Sequence, residues 1–243
     1  MFHMSVKDEI AALMKKECYD FEDLIAITRI LRSEEGCPWD REQDHHSVRS
    51  ALIEETYEVV EAVDTENPTL LREELGDLLF QVMFHAQIET EEARFGIGEV
   101  VDDICKKMIH RHPHVFGTVS VENSAEVLKN WESIKTEEKQ RNTLVDKLRA
   151  IPPMMPALMR ASKVGKKAGQ AEGLDAEAVL DRLENQIGAM RDALSQQKLD
   201  AQTAIGAFLM GVCDLSRKLD VDAEHALSAQ TDRLIDGVAQ KNT

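Results

Sequence analysis

Helix breakers are scarce in this chain. Its 243 residues hold six prolines and twelve glycines, while Ala, Leu, Glu and Lys abound. Gly and Pro are the residues that most disfavour helix, so the composition points to an all-α protein. Cysteine is scarce too. Cys18, Cys37, Cys105 and Cys213 form no Cys-x-x-Cys pair, which argues against a disulfide frame or a zinc site and for free thiols in a reducing cytoplasm. Positive charge is in deficit, with 29 Lys and Arg against 45 Asp and Glu and a formal net charge of −16. A nucleic-acid polymer is therefore not the expected partner, although a small anion bridged by metal remains open. No apolar run approaches the length of a membrane span, and the opening MFHMSVKDEI lacks the apolar core of a signal peptide. A Gly-rich phosphate loop is also missing. Gly96-Ile97-Gly98 lacks the further Gly or Gly-Lys of the dinucleotide and Walker patterns. No nucleophile and base are paired for covalent catalysis.

What is present is helical periodicity. With 43% apolar residues the chain can bury the core of one large domain or two small ones. A weak helix is expected over 5–17 and a better one from Phe21 to Leu31. Glu35-Gly36-Cys37-Pro38-Trp39-Asp40 reads as a turn. A helix follows from about Ser47 to Asp64. Asn67 can cap the next, with Pro68 at its first position, and that helix runs to about Glu92. Leu71, Leu75, Leu78, Leu79, Val82 and Met83 are its expected buried stripe. Further helices are expected from Glu99 to Arg111, from Asn123 or Ser124 to about Gln140, and near 157–168, 175–196, 200–219 and 221–240. Half of the prolines, Pro152, Pro153 and Pro156, lie in 141–156, which reads as a linker. The expected organisation is a first domain at 1–140, that linker, and a second helical domain at 157–243.

Two acidic clusters carry the chemistry. Glu54-Glu55-Thr56-Tyr57-Glu58 and Glu74-Leu75-Gly76-Asp77 each interrupt an apolar helical pattern. Spacing of three puts Glu55 and Glu58 on one helix face, and Glu74 and Asp77 on another. A reversal at Asn67-Pro68 would bring the four carboxylates together. At ~5 Å and an effective dielectric of ~20, each close pair repels by about 3 kcal/mol. Such a cluster calls for a divalent cation, and all-oxygen ligands suit Mg²⁺ or Mn²⁺. The plainer account is a solvated acidic helix face. Against it, the carboxylates recur as two spaced pairs on successive helices and border apolar stripes. A di-iron bundle needs a Glu-x-x-His from each half, and the chain offers only Glu42 to His45, in an expected loop.

Arg111-His112-Pro113-His114 is a second candidate. Lys107 and Arg111 share a helix face and could meet a phosphate, or could simply complement the helix dipole. Trp39 and Asp40 come third, since a Trp in a turn can stack on a base or pack over a core edge.

The two halves align at an offset of 130 residues. Gly76 falls on Gly206, Leu75 on Ile205, Leu79 on Leu209, Val82 on Val212 and Glu54 on Glu184. Glu55, Glu58, Glu74 and Asp77 fall on Asn185, Gly188, Ala204 and Ala207. If the halves are repeats, the second has lost every metal carboxylate, and its expected role is structural.

Taken together, these residues resemble the MazG family of nucleoside triphosphate pyrophosphohydrolases. The resemblance rests on GCPWDREQ (36–43), EETYEVVEA (54–62), REELGDLLFQVMFHAQ (72–87), RHPHVFG (111–117), ENSAEVLKNWESIKTEEK (122–139) and IPPMMPALMRASK (151–163). It runs nearly continuously over residues 20–168. It implies an all-α fold of the four-helix-bundle type in two tandem halves, built by a homodimer, and Mg²⁺-dependent cleavage of NTPs and dNTPs to monophosphate and pyrophosphate. By position it makes Glu55, Glu58, Glu74 and Asp77 the metal ligands. Glu54, with Glu55, would orient or deprotonate the attacking water. Lys107 and Arg111 would approach phosphates, and Trp39 and Asp40 the nucleotide. The alternative is a catalytically weak nucleotide-binding regulator that keeps the bundle.

Overall fold

The computed structural model describes residues 5–138, 143–196 and 200–241. Among them are thirteen helices and no strand, so the all-α reading holds. The chain divides into two compact units, residues 1–127 and 128–243.

Unit 1 begins with α1 (Val6–Leu13) and α2 (Phe21–Arg32). Asp20 caps α2 in a capping box with Asp23, which satisfies two of the orphan N–H groups at the helix start. α3 (Pro38–Glu42) occupies the segment expected as a turn. Pro38 is the reason, because proline at a first helical position starts a helix as readily as it ends one. α4 (Arg49–Asp64) and α5 (Pro68–Glu91) follow as a hairpin. Glu66, at φ 51°, supplies the left-handed residue that turns the chain. Asn67 then caps α5, its side chain accepting from the N–H groups of Thr69 and Leu70 at 3.2 Å, with Pro68 at the first position. α6 (Ile97–Arg111) and α7 (Pro113–Phe116) complete the unit.

α5 is the spine of unit 1: α2, α4 and α6 all pack on it. Val48, Phe84 and Ile88 form the core cluster, with Phe80 against it. Burying a side chain of the size of Phe84 contributes about 2 kcal/mol. The stripe expected to be buried is largely not. Met83 is, at 2% exposure, but Leu75, Leu79 and Val82 are 49%, 39% and 39% exposed. α5 is apolar on two sides. One faces the core through Met83, Phe84, Ala86 and Ile88, and the other, with Leu75, Leu79 and Val82, is left exposed by the described residues of unit 1.

α8 (Ser124–Glu138) crosses the boundary between the units. Unit 2 contains α9 (Leu144–Arg149), α10 (Ala157–Lys167), α11 (Ala176–Ser195), α12 (Ala201–Lys218) and α13 (Ala223–Ala239). α9 forms inside the proline-bearing stretch 141–156. Thr143 and Asp146 make its capping box, which offsets the shortness of the helix. α11 and α12 pack along each other, and α10 lies on α12 and α13. The residues paired by the 130-residue offset fall on matching helices: Leu75, Gly76 and Leu79 on α5, and Ile205, Gly206 and Leu209 on α12. Leu75, Leu79, Ile205 and Leu209 are all exposed.

Candidate active site

The α4–α5 hairpin brings carboxylates from both helices to one place. One oxygen each from Glu55, Glu58 and Glu74 lies within 4.8 Å of the others. Asp77 stands at the margin of this group, its charge pressing on both Glu55 and Glu74. Glu74 is buried, Glu55 half-buried, and Glu58 and Asp77 exposed. The carboxyls of Glu55 and Glu74 are both pushed above the ordinary carboxylate range. Burial is the leading cause for each. For Glu55 it is followed by a hydrogen bond that its protonated carboxyl donates to Glu58, and by the charges of Asp77, Glu58 and Glu74. For Glu74 it is followed by the charges of Glu58, Glu73, Asp77 and Glu61. Two carboxyls bond to each other only by sharing a proton, so a positive charge is wanted between them. An all-oxygen donor set of this crowding fits a hard divalent cation. Glu54 is one residue earlier on α4 and exposed, outside the group of three.

The other expected residues are placed less uniformly. Trp39, 64% exposed, and Asp40 lie on α3. α3 is stapled down by Arg32. Its guanidinium donates to the carbonyls of Asp40 and Gln43 at 2.6 and 3.1 Å and to both carboxylate oxygens of Glu91 at 2.9 and 2.8 Å. It also lies over the Phe84 ring, 4.9 Å from the centroid. Lys107 and Arg111 share α6, but Lys107 is exposed and Arg111 is 7% exposed.

A polar chain that no sequence motif marks lies at the other end of α5. His45 Nδ1 and His85 Nδ1 are 2.7 Å apart, and His45 Nε2 donates to Glu89 at 2.5 Å. Glu89 in turn accepts from Arg94 at 2.5 and 2.9 Å. The Arg94 hydrogen bonds, opposed by burial and helped by His45, pull the Glu89 carboxyl down to about 2. Burial, then the charge of His45, holds His85 below the usual imidazole value. The sequence singled out His45 only as a partner of Glu42. Its real partners are 40 and 44 residues away, and no local spacing announces them.

Residues 43–116 match the MazG nucleotide pyrophosphohydrolase domain, which takes in the whole carboxylate hairpin. The chain is 39% identical over 225 residues to the nucleoside triphosphate pyrophosphohydrolase/pyrophosphatase MazG of Thermotoga maritima, covering 92% of this chain and 86% of that protein. It is 41% identical over 219 residues to the nucleoside triphosphate pyrophosphohydrolase of Escherichia coli, covering 86% of this chain and 82% of that one. The pyrophosphohydrolase of Mycolicibacterium smegmatis is 37% identical over 189 residues, 77% of this chain and 56% of its own length. No described helix is long and apolar enough to cross a membrane. With identity at this level across nearly its full length, and its acidic hairpin inside the matched domain, the chain belongs to the MazG family.

Proposed function

We propose that this chain hydrolyses nucleoside triphosphates and their deoxy forms to the monophosphate and pyrophosphate at the α4–α5 carboxylates. The observation that carries the reading is the meeting of Glu55, Glu58 and Glu74 oxygens within 4.8 Å, in a chain that aligns over 92% of its length with a pyrophosphohydrolase. Glu55, Glu58, Glu74 and Asp77 would hold a divalent cation, Mg²⁺ or Mn²⁺. Bound there, it supplies Lewis acidity toward phosphoryl oxygens and toward water. Glu54, exposed beside the cluster, orients the attacking water and accepts its proton together with Glu55. The water oxygen bonds to the α-phosphorus, the bond from that phosphorus to the bridging oxygen breaks, and pyrophosphate departs with the electron pair. Lys107 and Arg111 offset the charge of the leaving group, and Trp39 and Asp40 border the nucleotide.

The working unit in this reading is a homodimer. Ile53, Tyr57 and Val60 of α4 and Leu75, Leu79 and Val82 of α5 are all exposed. An uncovered apolar face of this extent on one hairpin suits a second copy of the same hairpin, which would complete a four-helix bundle. The free thiols accord with a cytoplasmic setting. Product analysis tests the reaction. Wild type with Mg²⁺ and a panel of NTPs and dNTPs should release monophosphate and pyrophosphate, and Glu58→Ala should release neither. Diphosphate and orthophosphate would mean a different bond is cut. Bound nucleotide without product would favour the regulatory-protein alternative.

A further inference from the structure

The charge of this chain is unevenly distributed. Residues 128–168 carry ten Lys and Arg against four Asp and Glu, a local net charge of +6 in a chain of −16. In unit 2 this excess has a shape. α8, the α9 segment and α10 enclose a cleft of about 680 Å³. Lys135 enters from α8, Lys147 from α9, and Lys163, Lys166 and Lys167 from α10. Among the described residues Glu132 is the only carboxylate lining it, bonded to Lys167 at 3.0 Å. The Lys167 hydrogen bond holds the Glu132 carboxyl below its usual range against burial, helped by the charges of Lys135 and Lys147. Three lysines from three helices thus act on one point. The floor is apolar, with Ile151 buried and Met155 half-buried.

We infer that this cleft binds a condensed phosphate, either free pyrophosphate or triphosphate or the phosphate tail of a nucleotide. Four lysines beyond the Glu132–Lys167 pair gather around a space of ligand size, with no further lining acid among the described residues to neutralise them. Lysines serve as point charges for phosphate, and several phosphates in a row are needed to engage lysines from three helices at once. A nucleic-acid polymer fits poorly. Outside residues 128–168 the chain carries a net −22, which repels a long polyanion but leaves a small one free to enter. The site differs from the carboxylate hairpin in sign. It needs no metal, whereas the hairpin repels an anion until a cation is bound. Anion binding in the cleft is therefore independent of catalysis at the hairpin.

The test is calorimetric titration of the full chain with inorganic pyrophosphate and tripolyphosphate in EDTA at low salt. The expected result is saturable binding of one anion per chain that weakens as salt rises. The double substitution Lys147→Glu and Lys163→Glu should weaken it by about tenfold or more. Glu132→Gln, which releases Lys167, should tighten it several-fold, and this gain of binding cannot come from misfolding. Tighter binding of a nucleoside triphosphate than of tripolyphosphate would assign the nucleotide as ligand, and equal affinities the free anion. No binding in EDTA, or binding unaltered in both variants, overturns the proposal. So does binding that requires Mg²⁺ and is lost in Glu58→Ala, since the anion is then at the hairpin.

Discussion

The imidazoles of His45 and His85 meet edge to edge in one plane. Their planes differ by 6° and their centroids are 5.0 Å apart, while the Nδ1 atoms are separated by 2.7 Å. The centroid spacing matches the N···N distance plus two ring radii, so the rings share an in-line hydrogen bond and are not stacked face to face. One Nδ1 carries the proton and the other accepts it. His45 Nε2–H points at the Glu89 carboxylate, so in the neutral pair His85 Nδ1–H is the donor and His85 Nε2 is a bare acceptor. That Nε2 is buried without a partner among the described residues.

This arrangement predicts two acid-sensitive windows. Burial and the charge of His45 lower the His85 value in the fold, so the unfolded chain binds its proton first. Stability from this group is fully present above about 6.5, the ordinary value, and is lost as pH falls below it. Glu89 is drawn from 4.5 to about 2 by Arg94 and His45. Its contribution is present above 4.5 and is lost as pH falls from there toward 2. Urea unfolding at pH 7, 5.5 and 3 should show both losses. His85→Gln should flatten the first and Glu89→Gln the second. Wild-type stability unchanged from pH 7 to 5.5 would refute the His85 assignment.

Arg32 provides a second prediction. Its side chain is 5% exposed and joins α2, the carbonyls at 40 and 43, Glu91 and the Phe84 ring. Removing it takes the guanidinium from the Gln43 carbonyl, and leaves the Asp40 carbonyl only the Gln43 N–H and Glu91 only the Gln87 amide. Arg32→Ala should destabilise unit 1 by about 3 kcal/mol. Arg32→Lys should recover little, since an ammonium cannot reproduce the two-pronged contact with Glu91. Urea midpoints of the three proteins measure this. Nucleotide affinity should fall in both variants if Trp39 and Asp40 border the nucleotide, because Arg32 holds the backbone of α3 in place.

The carboxylate cluster provides a third. Without a cation, like charges within 4.8 Å destabilise the hairpin. Glu58→Gln removes an exposed member, so solvent screening leaves a gain of about 1 kcal/mol for the metal-free protein. In wild type Mg²⁺ should raise the melting temperature, and in Glu58→Gln this rise should shrink or vanish. Thermal melts with EDTA and with Mg²⁺ give both readings. A full Mg²⁺ response in the variant would place the cation elsewhere.

Much of this was legible in the sequence, for identifiable reasons. The i, i+3 carboxylate pairs and the Asn67-Pro68 start of α5 are local signals, and the hairpin needs little else to form. The starts of α3 and α9 were hidden by prolines, one at a first helical position and three following the other helix. The side of α5 that faces the core could not be chosen from periodicity, because apolar residues line both Leu75–Leu79–Val82 and Met83–Phe84–Ile88. The contacts Arg32–Glu91, His45–His85 and His45–Glu89 join residues 40 to 59 positions apart. Only the fold brings those together.

The uncovered side of α5 leads to the last prediction. Leu79 is 39% exposed on the same helix as Glu74 and Asp77, five and two residues further along, and Tyr57 of α4 is 55% exposed beside Glu58. If a second copy covers this face, Leu79→Arg places a charge in an apolar interface, where it lacks a partner. The expected outcome is a shift from dimer to monomer by light scattering, and with it lost turnover. Helical content should stay close to wild type, because Leu79 contributes little to the core of its own chain. A parallel change at Leu209, the residue that the 130-residue offset pairs with Leu79, separates the two units. It should leave turnover in place if only the α4–α5 hairpin carries the reaction. A monomeric wild type, or a dimer indifferent to Leu79→Arg, would remove the self-association from the proposed function while leaving the carboxylate site to be judged on its own test.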